Sequence, residues 1–294
     1  MPATSAWPRA PHQRLPRTIA PFAWEAASSY TARLARANHI GLHTLRGHVA
    51  ESCGERPRSD WLATVSGQAE QVIQARIRGL AGDPAALKQN LHRPLCQRCM
   101  ARKGIRDVVY CYLPAHVTVC HRHQRWIGPP AHAVDDHVDL QDRPSVLRAA
   151  RTHHRLAHRH AAADLHAAFG AARHMLAYWA HAEHRTAAAI LQDGIRAHVS
   201  TYPEVVAIAA TLLTVGAQLE PRSPMRSETV ALLINRINER TATQHTDSTP
   251  VEQWVHPFTA VSLSVNADTM PNVRGALSLT GCSPLASGRS GYVT

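Results

Sequence analysis

Two short stretches, Cys96-Gln97-Arg98-Cys99 and Cys120-His121-Arg122-His123, stand twenty residues apart and decide how this chain is expected to fold. Two residues between ligands allow a tight turn to direct both side chains at one metal ion. Two such turns complete a tetrahedron of three thiolates and one imidazole. His121 could replace His123, but the two-residue spacing favours His123. The spacing therefore predicts a zinc site formed by Cys96, Cys99, Cys120 and His123.

The segment between these two pairs predicts a β-hairpin. Strand-forming residues run from Val108 to Leu113, Pro114 interrupts them, and His116 to Val119 lead back to the second pair. Both pairs of ligands would then meet at the base of a zinc ribbon. Four protein ligands leave no open coordination position, so we expect one structural zinc ion. The remaining cysteines are interpreted as ordinary small apolar side chains, namely Cys53, Cys111 and Cys282.

Length and hydropathy set the general class of the protein. A chain of 294 residues can bury a sizeable core and hold two or three small domains. The longest apolar stretch, Val205 to Ala217, is too short to cross a bilayer, and the N-terminus has no apolar run of signal-peptide length. Four of the six cysteines have ligand spacing, which fits a reducing compartment. We therefore expect a cytoplasmic protein without a membrane contact.

The net charge of +11 is unevenly distributed. Residues 1–130 contain eighteen Lys and Arg against seven Asp and Glu, whereas residues 131–294 contain fourteen of each. A coding bias toward arginine explains why Lys88 and Lys103 are the only lysines, but it does not explain why acids balance the cations in one half alone. Clustered cations attract phosphate backbones. The charge pattern therefore predicts that the N-terminal half contacts nucleic acid.

Hydrophobic periodicity and breaker residues divide the chain into five segments. We predict a mainly α protein with a small β zinc ribbon. The segments are a flexible basic arm over 1–20, helix-turn-helix-like helices over 21–92, the zinc ribbon over 93–130, an all-α domain over 144–240 and a mostly irregular tail over 241–294.

Residues 59–80 predict two helices joined by a turn. Ser59 is a suitable N-cap, Gly67 supplies the turn, and a second helix over 68–80 directs its apolar residues inward. A plain structural hairpin has the same pattern and remains the alternative. In a helix-turn-helix the second helix faces DNA, because glutamine and arginine can read base edges or bind phosphates. The candidate DNA-binding residues are then Gln68, Gln71, Gln74, Arg76 and Arg78.

The C-terminal half predicts a set of packed helices. Their expected bounds are Val146 to His160, Ala162 to Glu183, Arg185 to Val199, Pro203 to Ala217 and Ser227 to Glu239.

Four histidines on the first of these helices, His153, His154, His158 and His160, raise the question of a second metal site. His154 and His158 are four residues apart on one face, but no carboxylate accompanies them as in a zincin helix. We interpret them as solvated or partly buried side chains. The chain also lacks a glycine-rich phosphate loop, a nucleophile elbow and a carboxylate pair of catalytic spacing, so we expect no enzymatic activity.

Two segments resemble the TniQ family, whose members accompany transposition modules of the Tn7-like and mercury-resistance types. The first is Glu25-Ala-Ala-Ser-Ser-Tyr-Thr-Ala-Arg-Leu-Ala-Arg-Ala-Asn38, which is similar to the opening signature of the family. The second contains the Cys96/Cys99 pair, Leu113-Pro114 and Val119 to His123, and is similar to its zinc segment. Tyr202 to Ala207 and Val251 to Val255 are similar to shorter segments of actinobacterial members.

Many relatives have a further Cys-Pro-x-Cys pair after the ribbon, where this chain has Ile127-Gly128-Pro129-Pro130. A second zinc ion is therefore not expected there. The resemblance implies a non-catalytic adaptor that helps to select or mark an insertion site. It also implies contacts with DNA and with an AAA+ ATPase, and in some members a homodimer. A stand-alone zinc-containing helix-turn-helix transcriptional regulator is the alternative.

Overall fold

The computed structural model describes residues 10–52, 54–83, 92–182, 194–216 and 227–255. These residues are mainly helical with a few short strands, which confirms the expected excess of helix over strand. The predictions for residues 1–9, for Cys53 and Cys282, for most of the helix expected from Arg185 and for the tail beyond 255 lie outside the described residues.

The secondary-structure elements come in the following order. They are β1 (Glu25–Ala26), α1 (Ala27–Ala37), α2 (Leu42–Val49), α3 (Ser59–Ser66), α4 (Glu70–Arg76), β2 (Ile77–Arg78), β3 (Arg93–Pro94), α5 (Gln97–Arg102), β4 (Tyr110–Cys111), β5 (Val119–Cys120), β6 (Arg125–Trp126), α6 (Pro144–Arg159), α7 (Ala162–Ala182), α8 (Gly194–Gly216) and α9 (Ser227–Arg240). Residues 249–255 are also helical.

Helices α1 to α4 enclose one hydrophobic cluster. Tyr30 and Leu34 in α1, like Leu45 and Val49 in α2, are four residues apart and fully buried, because that spacing places both side chains on one face of a helix. Gly67 ends α3 with a φ of 67°, the left-handed conformation that glycine adopts without strain. The segment expected to be helical therefore contains four helices in its described part.

Residues 10–20 differ from the prediction of a flexible arm. The Leu15 N–H donates to the Val65 carbonyl oxygen, and the Arg17 N–H donates to Asn38 Oδ1, both at 2.8 Å. Leu15 and Ile19 also pack against the cluster enclosed by α1 to α4. These contacts tie the segment to the first helices, because its apolar residues find a buried face there.

Four of the strands form one sheet in the order β2-β1-β4-β3. Strand β1 pairs in parallel with β2 and antiparallel with β4, and β4 pairs antiparallel with β3. The predicted helix over 68–80 is therefore wrong in length, since α4 ends at Arg76 and Ile77–Arg78 form β2. Ile77 is buried four residues after Ile73, a spacing that also fits a helix. The pairing of Ile77 and Arg78 with β1 is what makes them a strand and not a continuation of α4.

The predicted hairpin between residues 108–113 and 116–119 is wrong. Strand β4 belongs to the four-stranded sheet, whereas β5 pairs antiparallel with β6 in a second sheet. Burial explains the separation. Val109 and Cys111 pack with Met100 in a small cluster beside the first sheet, while Val119 and Trp126 pack against the C-terminal helices. The two strands therefore belong to different sheets because β4 packs in the small cluster and β5 packs on the C-terminal helices.

Helices α6 to α9 and the β5–β6 hairpin share the largest hydrophobic cluster. Helix α8 continues through Pro203, where two separate helices are predicted from the sequence. Val199, Tyr202 and Val206 remain buried on both sides of the proline, so packing keeps the helix continuous. Within the described ranges, α8 is the one helix whose length and composition would allow it to span a membrane, and 56% of its apolar stretch is buried inside the protein.

A buried ion pair holds β1 against α1. Arg33 donates from Nε and Nη2 to the carboxylate of Glu25 at 2.8 and 2.9 Å, with exposed fractions of 6% and 0% for the two side chains. The same carboxylate accepts hydrogen bonds from the Phe22 N–H and the Ser29 hydroxyl. Ser29 Oγ in turn accepts the N–H of Tyr110 in β4 at 3.0 Å. Glu25 therefore connects the first helix to the sheet.

We expect Glu25→Gln to lower the free energy of unfolding by about 3–5 kcal/mol, because it leaves the Arg33 guanidinium buried without a charged partner. Thermal and urea denaturation measure the change. Arg58→Ala is the matched control, since the ion pairs of Arg58 with Glu51 and Asp60 are at the surface, and it should hardly change the melting temperature. Equal effects of the two substitutions would contradict the assigned role of Glu25.

Candidate metal centre and basic cleft

Three thiols and one imidazole converge on a single point. The Sγ atoms of Cys96, Cys99 and Cys120 lie 3.5, 3.2 and 3.6 Å from His123 Nδ1, and Cys99 Sγ lies 3.6 Å from Cys120 Sγ. All four ligand atoms are within 4.8 Å of one another. Metal–sulfur bonds of about 2.3 Å and metal–nitrogen bonds of about 2.0–2.1 Å give tetrahedral edges of about 3.8 and 3.6 Å. The cluster therefore has the size of a tetrahedral metal site.

The ligands come from two different parts of the fold. Cys96 precedes α5 and Cys99 lies in its first turn, where the N–H groups of Cys99 and Met100 donate to the Cys96 carbonyl oxygen. Cys120 ends β5, and His123 lies in the turn to β6. Met100 of α5 packs beside the first sheet, whereas the β5–β6 hairpin packs on the C-terminal helices. A metal ion bound here joins α5, beside the first sheet, to the hairpin that packs on the C-terminal helices.

This arrangement confirms the proximity that the cysteine and histidine spacing predicts. It also distinguishes between the two histidines, because the cluster contains His123 and not His121. The elements around the ligands differ from the expected hairpin, since each pair is held by its own packing. Cys111, interpreted as an apolar side chain, is fully buried in β4, and burial raises the pKa of its thiol to about 12.

Burial also affects the ligand thiols. It raises the pKa of Cys99, and it raises the pKa of Cys120 to about 12. Without an ion both thiols are protonated at neutral pH, so a bound metal has to displace their protons. The cluster therefore suits cations that form strong bonds to thiolate sulfur.

Arg93 supports the junction of the two halves beside the metal centre. Its guanidinium, on β3, donates to the carbonyl oxygens of Leu113, Pro114, Val117 and Ile127 at 3.0–3.3 Å. Burial lowers the pKa of Arg93 to about 10, and four carbonyl partners compensate the buried charge. The segment between β4 and β5 is thereby fixed at several points.

Tyr202 anchors the β5–β6 hairpin to the helical half. Its hydroxyl lies 3.0 Å from Thr118 Oγ1 and 2.9 Å from His153 Nδ1, and its ring contacts Trp126 edge to face at 4.8 Å. Burial raises the pKa of Tyr202 and lowers that of His153 to about 4, so both groups are neutral hydrogen-bonding partners. The position of Cys120 therefore depends on α6 and α8.

The structure distributes the candidate DNA-binding residues over two surfaces. Gln71, Gln74 and Arg76 are exposed on α4, whereas Gln68 and Arg78 are half-buried beside it. Gln74 Nε2 donates to the side chains of Ser59 and Glu70, and Arg76 donates to the Pro21 carbonyl oxygen at 3.2 Å. Helix α4 has only seven residues and therefore a length of about 10 Å.

Arg78 instead lies in a cleft with other cations. The cleft has a volume of about 350 Å³ and lies between α1, α2 and the first sheet. Arg46, Arg56 and Arg78 line it together with His92, and Glu55 is the one carboxylate among its lining residues. Ser28, Thr31 and Tyr112 also line the cleft, although the Thr31 hydroxyl donates to the Ala27 carbonyl oxygen. Guanidinium and hydroxyl groups are donors that bind phosphate oxygens.

Sequence reasoning did not find Arg46, Arg56 and His92 as possible phosphate contacts. Arg46 lies near the end of α2, Arg56 precedes α3 and His92 precedes β3, so nothing in their spacing brings them together. The one available signal is the excess of arginine in the first 130 residues, and it does not indicate which of these arginines lie together in the fold. The tertiary fold creates the cleft.

Comparisons of the chain with protein-family models, with curated proteins and with solved structures found no match. The relation to the TniQ family therefore remains a hypothesis, based on the segment from Glu25 to Asn38 and on the segment that holds the metal ligands.

Replacing Cys99 should abolish tetrahedral metal binding. We expect the chain titrated with Co²⁺ after chelation to develop the absorption bands of tetrahedral Co²⁺–thiolate, and Cys99→Ser to lose them because one sulfur ligand is gone. Cys111→Ala is the control, since Cys111 is buried outside the cluster and should leave the bands unchanged. Bands of full intensity in Cys99→Ser would show that the thiol is not a ligand.

Proposed function

We propose that this protein is a non-catalytic DNA-binding adaptor of the TniQ type, in which one structural zinc ion joins a basic N-terminal half to a neutral helical half. In this proposal it helps to select or mark a DNA insertion site by bridging DNA and a transposition AAA+ ATPase. The observation that carries the DNA contact is the cleft that contains Arg46, Arg56 and Arg78, because it lies in the half that holds the whole excess of positive charge.

The donor set supports a structural role for the metal. Three cysteines and one histidine fill a tetrahedron, so no coordination position is left for water or substrate. Such closed sites with mixed sulfur and nitrogen ligands are typical of zinc in structural modules. The zinc ion would hold the two halves in one orientation, which an adaptor requires if its partners are to be brought together in a defined geometry.

The charge difference between the halves supports different binding partners for each, DNA for residues 1–130 and a protein for residues 131–294. Cations in the N-terminal half attract the phosphate backbone through counterion release. Residues 131–294 as a whole carry balanced charge, and their helices enclose a large apolar core, which suits a protein-binding module. The identity of the partner as an AAA+ ATPase comes from the TniQ resemblance alone.

The full chain should bind duplex DNA through the cleft. We expect the double substitution Arg46→Ala with Arg56→Ala to weaken binding to all sequences, and to reduce the slope of log affinity against log salt by about 0.9 for each phosphate that is no longer neutralised. Arg196→Ala, an exposed arginine on α8, whose sequence has one arginine and one glutamate, is the matched control and should leave both quantities unchanged. An unchanged slope in the double variant would exclude the cleft as the phosphate site.

Gln71→Ala tests α4 separately. If the α3–α4 pair reads base edges, this exposed side chain contributes to sequence preference, and its removal should reduce discrimination between DNA sequences while the salt slope stays the same. Unchanged discrimination favours the structural hairpin.

Co-expression with the AAA+ ATPase encoded nearest to this chain decides between the adaptor and the regulator. The adaptor proposal expects a complex that survives nuclease treatment, and it expects Cys99→Ser to abolish that complex, because the metal then no longer fixes α5 and the β5–β6 hairpin in one orientation. A chain that binds no such ATPase and protects a single operator in footprinting would instead be a zinc-containing transcriptional regulator.

A further inference from the structure

Three imidazoles meet on the surface between α6 and the loop that precedes β5. His154 and His158 are one turn apart on α6, and His116 reaches them from the loop. The ring centre of His116 lies 5.2 Å from that of His154 and 6.1 Å from that of His158. The rings of His154 and His158 are 4.5 Å apart. His116 is distant in the sequence, so the helical spacing alone does not reveal this group.

The distances between His154 and His158 match two imidazoles around one ion, and the His116 ring lies close to both. Two nitrogens that bind the same ion at about 2.0–2.1 Å lie about 2.9–3.4 Å apart for bond angles from square to tetrahedral. The Nε2 atoms of His154 and His158 are 3.1 Å apart. The corresponding ring centres should be about 4.5–5.5 Å apart, given the same bond lengths. The His116 ring centre is within this range of His154 at 5.2 Å but lies 6.1 Å from that of His158, so the proposed site requires the His116 side chain to move closer to His158.

Both sides of the group are held in place by the fold. His154 and His158 lie on a helix whose buried face packs in the largest cluster. The loop that carries His116 is fixed by the hydrogen bonds from Arg93 to the carbonyl oxygens of Pro114 and Val117. His154 and His158 are thus held in position for binding, so only the His116 side chain has to be ordered when an ion binds.

His153, which neighbours His154 in the sequence, does not compete with the three rings for an ion. His153 is buried, stacks on Phe169 at 4.0 Å and bonds to Tyr202 through Nδ1, so it is a support and not a ligand. Burial lowers the pKa of His116, and the imidazoles of His154 and His158 lower it further, with a smaller contribution from Arg93. His116 is therefore neutral at neutral pH and has a lone pair for a metal ion.

We propose that His116, His154 and His158 bind a divalent transition-metal ion in an open three-histidine site, separate from the thiolate cluster. Imidazole ligands suit Zn²⁺, Ni²⁺ and Cu²⁺. Three protein ligands leave at least one coordination position for water or an added ligand. Because His154 and His158 are exposed, this ion exchanges with the solvent. It also ties the loop before β5 to α6, so its binding stabilises the folded chain.

Titration of the tag-free full chain with Ni²⁺ tests the site while zinc occupies the thiolate cluster. Calorimetry should show one Ni²⁺ per chain, together with a rise in melting temperature. Each of His116→Ala, His154→Ala and His158→Ala should weaken Ni²⁺ binding at least tenfold, because each removes one of three ligands. The control His166→Ala, an exposed histidine on α7, should bind as the unmodified chain does.

Pulsed electron paramagnetic resonance with Cu²⁺ counts the ligands directly. We expect three coupled imidazoles in the unmodified chain and two in His116→Ala, with His116→Asn as a second variant should the alanine variant not fold. Ni²⁺ affinity that is unchanged in the His116 variants would overturn the proposal, since a helical histidine pair would then be the whole site. No Ni²⁺ binding by the unmodified chain would also overturn it, because the 3.1 Å contact would then be an N–H···N hydrogen bond.

Discussion

The buried pair of Glu25 and Arg33 is the interaction on which the arrangement of this fold depends. A carboxylate that is fully removed from water is tolerated only when its oxygens are bonded, and here two N–H groups of Arg33, one backbone N–H and one hydroxyl supply those bonds. Each donor comes from a defined place in the chain. The requirement to satisfy one charge therefore fixes α1, the segment before β1 and, through Ser29, strand β4.

The same principle operates at the junction of the two halves. The guanidinium of Arg93 is buried and donates hydrogen bonds to four backbone carbonyl oxygens. Three of these oxygens belong to residues between β4 and β5, so the path of this segment is fixed around the guanidinium. The cluster of Cys96, Cys99, Cys120 and His123 then draws ligands from both sides of this junction. A proposed zinc ion would add a second connection at this junction. Removal of the metal would leave the hydrogen bonds of Arg93 as a polar link between the first sheet and the segment that leads to the helical half.

The segment that resembles the TniQ signature consists of residues that hold the fold together. Besides Glu25, Ser29 and Arg33, the Tyr30 hydroxyl donates to the Ile19 carbonyl oxygen at 2.8 Å, and the Asn38 side chain bonds to the backbone of Arg17 and of Leu34. The polar atoms of these residues bond within the fold. The proposed DNA contact therefore depends on other side chains, and the signature residues position them by fixing α1 against the sheet.

The sequence by itself determined the local features of this protein. Helical spacing of apolar residues indicated helices over 21–92 and in the C-terminal half, because this pattern depends on neighbours within a few residues. The two-residue spacing within each ligand pair predicted that the three cysteines and His123 come together. The tertiary structure decided the rest. It placed β4 and β5 in different sheets, ended α4 at Arg76 and kept α8 continuous through Pro203, since each outcome depends on which distant apolar surface is available. It also brought Arg46, Arg56 and Arg78 into one cleft, and it added His116 to a pair of histidines that the helix alone provides.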